Sequence, residues 1–445
     1  MTSVTEIGQA IRSVLSVVGD KVARATGFTK RKSKLTGAKF AQTTVLGWLS
    51  QPEATLDELS RAAMAVGVAI SPQGLDQRFT PEGAALLEQV LNAALGQVIG
   101  ADPVAIPLLA RFSGVIVQDS SIITLPDALA KVWQGCGGSA GHGTSALKLQ
   151  VCFDLLTGTL QGPLLEPGRT NDRGSTLQTA PLAAGALRIA DLGYFSLDQL
   201  AAFSAGGAYF LTRCYLQTAL FDSQSNRLTL SSLLAAAPTT QVDLTVLLGA
   251  RERLPVRLLA ARVPQEVADQ RRRKVRAEAR NKGETPSQVR LAFADWTILV
   301  TSAGLRPANV PENKLSLPEA LVLVRVRWQV ELLFKLWKSQ GKVDEWRTER
   351  PWRILCETYA KLTAMIIQHW LFLVSCWAYP NRSLAKAAKT VRDYAPMLES
   401  ALTGLIDIAV PIEQIQRCLA AGARMNRRRK EPNTYQLLLN IPDVA

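Results

Sequence analysis

The chain has 445 residues and a formal charge of +14, from 51 Lys and Arg against 37 Asp and Glu, so it can hold more than one domain and its natural partner is a polyanion. No apolar run reaches the ~18 residues that a spanning helix needs, and the N-terminal stretch shows no secretory cleavage pattern. Six scattered cysteines without a C-x-x-C pair read as reduced core thiols, and only two histidines, His142 and His369, leave no His-rich zinc site, so any metal is expected to be a hard cation on carboxylates.

Residues 1–103 read as all-helical. The segment Thr26 to Lys39 carries Lys30, Arg31, Lys32, Lys34 and Lys39 among small polar residues, which suits a flexible basic arm on phosphates and equally a solvated loop. Thr55-Leu-Asp-Glu58 is a capping box for a helix to Val66. Gly67 breaks it, and Ser71-Pro72 opens another. That spacing is compatible with a helix-turn-helix, although ordinary helical hairpins share it.

From Ser113 the period changes. Val115-Ile116-Val117 is a β-branched run ending at Asp119, residues 147–165 alternate about a Thr157-Gly158 hairpin turn, and Leu187 to Ala190 form a short strand ending at Asp191. Ser196 caps a helix, Tyr209 to Thr212 supply another strand, and the whole is a mixed α/β core. A partly β insertion follows, with runs at Val242 to Leu248 and Val256 to Val263. Its basic helix contains Arg271, Arg272, Arg273 and Lys274, and Trp296 precedes the run Thr297 to Thr301. Pro307 and Pro311 bracket a turn.

Ser316 to Gly341 reads as one long helix. Ser316 and Glu319 close a capping box and Gly341 offers a stop. Leu323, Val326, Val330, Leu333 and Trp337 make a core-facing stripe, and Val324, Arg327, Glu331 and Lys338 fall on a second, narrow stripe at the core's edge. An ordinary ion-pair row has the same spacing, because Arg327 and Glu331 stand at i,i+4. Pro351 to Tyr379, Ser383 to Leu402 and Pro411 to Ala423 read as three more helices, the first with a buried segment from Ala364 to Trp377. The chain finishes with Arg427, Arg428, Arg429 and Lys430.

Asp119 and Asp191 stand at or near the carboxyl ends of predicted strands, where ligands gather in α/β sheets but where turn-capping is the commoner role. Glu331 arrives later, on a helix. Two strand-borne carboxylates and one helix-borne carboxylate are a donor set for two Mg²⁺ ions.

The segment VRVRWQVELLFKLWKSQGK resembles the Tyr-x-x-Arg-x-x-x-Glu-x-x-x-x-x-x-Lys signature of bacterial insertion-sequence DDE transposases of the insertion-sequence-four-like family, with Arg327, Glu331 and Lys338 at the family's spacing. QDSSIITLP and IADLGYFS resemble the blocks around that family's first and second catalytic aspartates; SPQGLDQRFTPEG, the basic helix and DWTILVTS resemble other family segments. One position departs: Val324 stands where the signature begins with Tyr.

The resemblance implies a ribonuclease H-like catalytic core in two parts, 104–213 and 304–349, interrupted by a β-rich insertion at 214–303. An all-helical DNA-binding region (1–103) would precede it and a helical C-terminal region (350–445), with a possible dimer interface, would follow. It implies Mg²⁺-dependent cutting at transposon ends, two ions per site with Mn²⁺ able to substitute, then attack of the freed 3′-hydroxyl on target DNA. Asp119, Asp191 and Glu331 become the catalytic metal ligands, Arg327 and Lys338 contacts to end phosphates, and Trp296 a platform for a flipped base unless it packs under the insertion. Lys335, Lys30, Arg31, Lys32 and Arg271 to Lys274 complete the expected DNA contacts. The expected partners are the terminal inverted repeats, target DNA and a second copy in a synaptic homodimer, in the bacterial cytoplasm at the nucleoid and away from membranes. The alternative is a silent, transposase-derived DNA-binding repressor.

Overall fold

The computed structural model describes residues 2–31, 33–137, 143–305, 313–426 and 432–442. Lys32, His142, Pro307, Pro311 and the basic run Arg427, Arg428, Arg429 and Lys430 lie outside the described residues. The chain divides into two compact units: Met1–Ala105, Asp119–Thr170 and Gln329–Lys430 form the first, and Ile106–Gln118, Asn171–Trp328 and Glu431–Ala445 the second.

The N-terminal segment is helical: α1 (Val4–Arg12), a π-helical turn, α2 (Gly19–Ala25), α3 (Gly37–Ser50), α4 (Leu56–Ala65), α5 (Pro72–Asp76) and α6 (Pro81–Leu95). The caps do what the sequence asks. Thr55 and Glu58 form a reciprocal box, and Ser71 and Thr80 each cap a helix that opens on proline. The helix-turn-helix expectation fails on length, because α5 has five residues, too few to lay a recognition helix in a groove. The expected basic arm is a pinned loop. Phe28 stacks on Phe40 with ring centroids 4.7 Å apart, and Leu35 is buried.

Then follow β1 (Val115–Leu125), β2 (Ser145–Asp154), β3 (Leu160–Pro167), α7 (Thr176–Thr179), β4 (Leu187–Ala190), α8 (Leu197–Ala205), β5 (Tyr209–Arg213), β6 (Leu220–Phe221), β7 (Arg227–Leu228), α9 (Leu230–Ala235), β8 (Gln241–Leu248), β9 (Leu254–Arg262), α10 (Gln265–Asn281), α11 (Gln288–Ala292) and β10 (Trp296–Thr301). The strands make a mixed, ten-stranded sheet in the order β3-β2-β1-β4-β5-β10-β9-β8-β6-β7. β1, β4 and β5 are mutually parallel, and β2 and β3 are an antiparallel hairpin. β10 lies antiparallel between β5 and β9, so the strands of the insertion extend the sheet.

One expectation about β1 needs correction. Asp119 does not end the strand: β1 runs on to Leu125, because Ile122-Ile123-Thr124-Leu125 is a second β-forming run whose Ile123 and Leu125 are buried. What ends at Gln118 is the pairing with β4.

The C-terminal third is α12 (Leu317–Val326), α13 (Trp328–Ser339), α14 (Pro351–Ser375), α15 (Leu384–Leu402), α16 (Ala409–Ala421) and α17 (Thr434–Leu439). The long predicted helix is therefore two. Arg327, between α12 and α13, keeps right-handed helical angles (φ −48°, ψ −31°), and neither proline nor glycine stands at the break. In the first unit α14 packs on α6, α3 and α16, and every residue from Ile354 to Leu373 is buried, so this helix is apolar on all sides except where its polar groups find partners. Four of the six thiols are core residues, as expected, while Cys136 and Cys418 are exposed. Among the described residues no helix is long and apolar enough to cross a membrane.

Two buried groups of α14 make the fold testable. Lys361, 1% exposed, pairs with Glu357 at 2.7 Å and donates to the carbonyls of Lys342 and Glu345 at 2.9 and 2.8 Å. Breaking a buried pair from one side strands the other charge. Lys361→Met should therefore cost ~3–5 kcal/mol in a urea melt, and an unchanged midpoint would contradict the assignment.

His369 contacts the Gly158 carbonyl through Nε2 at 2.7 Å, and burial pushes its pKa down to about 4. A folded value below the unfolded one means that stability is present above pH ~6.5 and drains away as pH falls toward the folded value. Between pH 7.5 and 5 the wild type should lose about 2 kcal/mol that His369→Gln retains, read from paired denaturant melts.

Candidate active site and DNA-facing surface

The four parallel register pairs of β1 and β4 run from Val115 with Leu187 to Gln118 with Ala190. Asp119 and Asp191 each follow a member of the last pair. Behind them, in the second unit, lies a group that the sequence reading missed. Arg188 of β4, 5% exposed, donates to the side-chain carbonyls of Gln118 and Gln178 and to the Gln178 backbone carbonyl at 3.3 Å, with its guanidinium 4.8 Å from the Phe203 ring. Arg188 and Gln118 belong to strands paired two residues apart on one face, so this bond opposes any slip of the register that precedes both aspartates. An arginine inside a strand run was the only available signal.

Asp119 is half-buried, and its Oδ1 accepts from the Ser120 backbone N–H at 2.8 Å. Asp191 is half-buried as well and stands before the short 3-10 turn Leu192–Tyr194, where it makes no side-chain cap bond. The turn-capping role that its position suggested is thus not what the side chain does here.

On α12 and α13 the two stripes separate as periodicity requires. Leu323, Val326, Val330, Leu333 and Trp337 are at most 1% exposed, whereas Val324, Arg327, Glu331 and Lys338 are half-buried and Lys335 is exposed. Within the first unit α13 is tied to β1, because Lys338 Nζ donates to the Ile122 carbonyl at 2.8 Å. The same ammonium lies 3.8 Å from a carboxylate oxygen of Asp344. Among the described residues, no three His, Cys, Asp or Glu are grouped as a metal-holding set.

The expected DNA contacts sort into two kinds. Arg271 of α10 is half-buried and donates to the Trp296 carbonyl at 2.9 Å and to Thr297 Oγ1 at 3.0 Å; burial lowers its pKa, with a smaller push from Arg213. Arg272 pairs with Asp269 at 2.6 Å and with Asp295. Both bind the helix to its own unit. Arg273 and Lys274, the next two residues, are exposed. Trp296 opens β10 at 8% exposure inside the apolar cluster of the second unit, with the Arg262 guanidinium 5.3 Å from its ring. In this arrangement the ring is core. Lys30 is 76% exposed, 3.9 Å from Glu82, and Arg31 is exposed.

Comparison with known proteins gives this arrangement a family. A family model described as a transposase DDE domain matches residues 110–367. The chain is 26% identical over 455 aligned residues, covering 94% of it and 91% of the relative, to the transposase for insertion sequence element IS231F of Bacillus thuringiensis subsp. israelensis. It is 26% identical, over 80% of its length and 78% of the relative, to the transposase for insertion sequence element IS1151 of Clostridium perfringens. A 25% identity over 51% of the chain and 61% of the relative links it to the putative transposase InsL for insertion sequence element IS186A of Escherichia coli K12. The matched span is more than half of the chain and holds Asp119, Asp191 and Glu331, and the chain belongs to the transposase DDE domain family, enzymes that act on DNA with a divalent metal.

Proposed function

We propose that this chain is a cut-and-paste transposase that binds the terminal inverted repeats of an insertion sequence, hydrolyses the DNA at those ends and joins the freed 3′-hydroxyl to target DNA. The observation that carries the reading is the family match across residues 110–367, the span in which all three candidate carboxylates fall. The strand order β3-β2-β1-β4-β5, a hairpin followed by three parallel strands, supports a ribonuclease H-like core.

Asp119, Asp191 and Glu331 are the assigned metal ligands. Oxygen donors of this kind fit a hard divalent ion, so Mg²⁺ is the expected metal, two per site, with Mn²⁺ as a substitute. When bound, such ions supply an activated water and neutralise the leaving oxygen. The bond from Lys338 to Ile122 supports placing Glu331 beside Asp119. Asp119 lies three strand residues before Ile122 and Glu331 seven helix residues before Lys338, about 10 Å in each case, so the two stand level where strand and helix run in the same direction.

Arg327 and Lys338 hold end phosphates as charge-assisted donors, with Lys335 alongside. Val324 has neither a hydroxyl nor a ring, so strand cleavage proceeds without a contribution from this position. Arg273 and Lys274 are the α10 cations that reach DNA, together with Lys30 and Arg31, and Lys32 is placed with them by sequence alone. Arg271, Arg272 and Trp296 serve the unit's own packing in the free chain. Two ends must be cut and joined together, so the working form is a synaptic homodimer at the bacterial nucleoid.

Asp119→Asn, Asp191→Asn and Glu331→Gln should each lower Mg²⁺-dependent nicking of end-containing duplex more than about a thousandfold, ~4 kcal/mol of transition-state stabilisation, while gel-shift binding persists. A wild type that binds ends but nicks with neither Mg²⁺ nor Mn²⁺ would overturn the enzyme reading in favour of a repressor. For the surface, Arg273→Ala with Lys274→Ala should reduce the slope of log affinity against log salt by about 2 and leave the melting temperature in place. Arg272→Ala should do the reverse, destabilising the insertion with little change in slope. Equal behaviour of the two would refute the division between inner and outer cations.

A further inference from the structure

Lys338 is assigned above to a DNA phosphate, yet in the free chain its ammonium is already engaged. It gives its close bond to the Ile122 carbonyl at 2.8 Å and faces Asp344 Oδ2 at 3.8 Å. That second separation is an ion pair without a hydrogen bond.

Asp344 is not a loose surface carboxylate. Its loop is fixed on both sides, since the buried Lys361 donates to the carbonyls of Lys342 and Glu345. Val343, next to it, is 1% exposed. Gly341 abuts Met365 and the Trp337 carbonyl so closely that a side chain there would collide. Lys342 adopts the left-handed conformation with φ 49° and spends its own ammonium on Glu345 at 2.9 Å. The loop thus turns sharply and presents Asp344, and only Asp344, to Lys338. Oδ1 of that carboxylate is buried and has no hydrogen-bond partner.

We propose that Asp344 is a built-in competitor for the phosphate at Lys338. In the free chain the carboxylate neutralises the ammonium. When a duplex seats on α13, a backbone phosphate, which carries the same single charge but is held in place by the duplex's other contacts, takes its place. Every DNA that uses Lys338 must displace Asp344, so binding is tight only where the other contacts of an end also form. The proposal rests on the end-binding reading above.

The test is a double-mutant cycle in equilibrium binding to an end-containing duplex between about 50 and 200 mM salt, using full-length wild type, Asp344→Asn, Lys338→Met and the pair. Asp344→Asn is expected to bind roughly three- to tenfold tighter at the low-salt end, with a log–log slope steeper by about 0.9. Lys338→Met binds more weakly, and adding Asp344→Asn to it brings no further gain. Asparagine is isosteric and the loop's carbonyl anchors are untouched; matched melting temperatures, with Asp344→Ser as the second variant, guard against a folding defect. An unchanged or weaker Asp344→Asn, or an equal gain with and without Lys338, overturns the proposal, the latter because it would be a general charge effect. If the wild type binds no end-containing duplex, the end-binding reading fails and takes this one with it; normal wild-type binding with no Asp344 effect sinks this one alone.

Discussion

Four parallel register pairs between β1 and β4, closed by the buried Arg188, Gln118 and Gln178 side chains, are the constraint on which the rest of the second unit depends. In a strand the side-chain period is two, so a slip of one residue would send every apolar residue of β4 to the wrong face. A four-residue strand has little apolar pattern with which to resist that. The guanidinium supplies the resistance: shifting it by one residue would strand a cation in the sheet, a far larger penalty than mispairing two leucines. The residues immediately after this ladder in the chain are Asp119 and Asp191.

The same economy recurs across the chain and changes what the net charge means. Arg257 is 3% exposed, held by Asp243 and by the carbonyls of Ala303 and Leu315. Arg382 bonds the carbonyls of Leu419 and Ala420 at the end of α16, where a cation also suits the helix dipole. Arg188, Arg271, Arg272 and Lys361 are likewise committed to internal acceptors. The 51 Lys and Arg are therefore an upper bound on the cations that can touch a polyanion, and clusters of basic residues in the sequence overstate that number.

Local chemistry made much of the fold legible. Capping boxes at Thr55 and Ser316 set helix starts that the structure reproduces, and the strand from Leu187 to Ala190 has the expected limits. The buried and half-buried stripes of α12 and α13 follow from a 3.6-residue period alone. Illegible features share one cause, a partner distant in sequence. β1 continues through Asp119 because the sheet offers its second half a neighbour. Trp296 is core because β9 pairs with its strand and the apolar cluster of the second unit encloses its ring. In the Arg271 to Lys274 run, which cations turn inward depends on Asp295 and Thr297, far along the chain. For the candidate site, Asp119 and Asp191 were singled out by their place after β-forming runs and by resembling blocks, and Glu331 by the spacing of the signature. Their support, Arg188 and the Lys361 clamp, carries no motif and was visible only in three dimensions.

Lys338 shows how closely fold and proposed function are joined. Its bond to Ile122 ties α13 to the strand that carries Asp119, so the residue assigned to DNA is also a fastener of the free first unit. An ammonium has three N–H donors, so one side chain can carry both duties at once. In the proposed reading, the phosphate takes the place of Asp344 while the Ile122 carbonyl keeps its N–H, so α13 stays tied to β1 as DNA arrives. Two further anchors stand beside Lys338 at the same end of the helix: Arg392 on the Gln340 carbonyl and side chain, and Lys361 on the loop beyond. Together they hold the carboxyl end of α13 on its own unit. In that reading, the cation proposed to grip the substrate is also the one that ties α13, with Glu331, to β1 before the substrate comes.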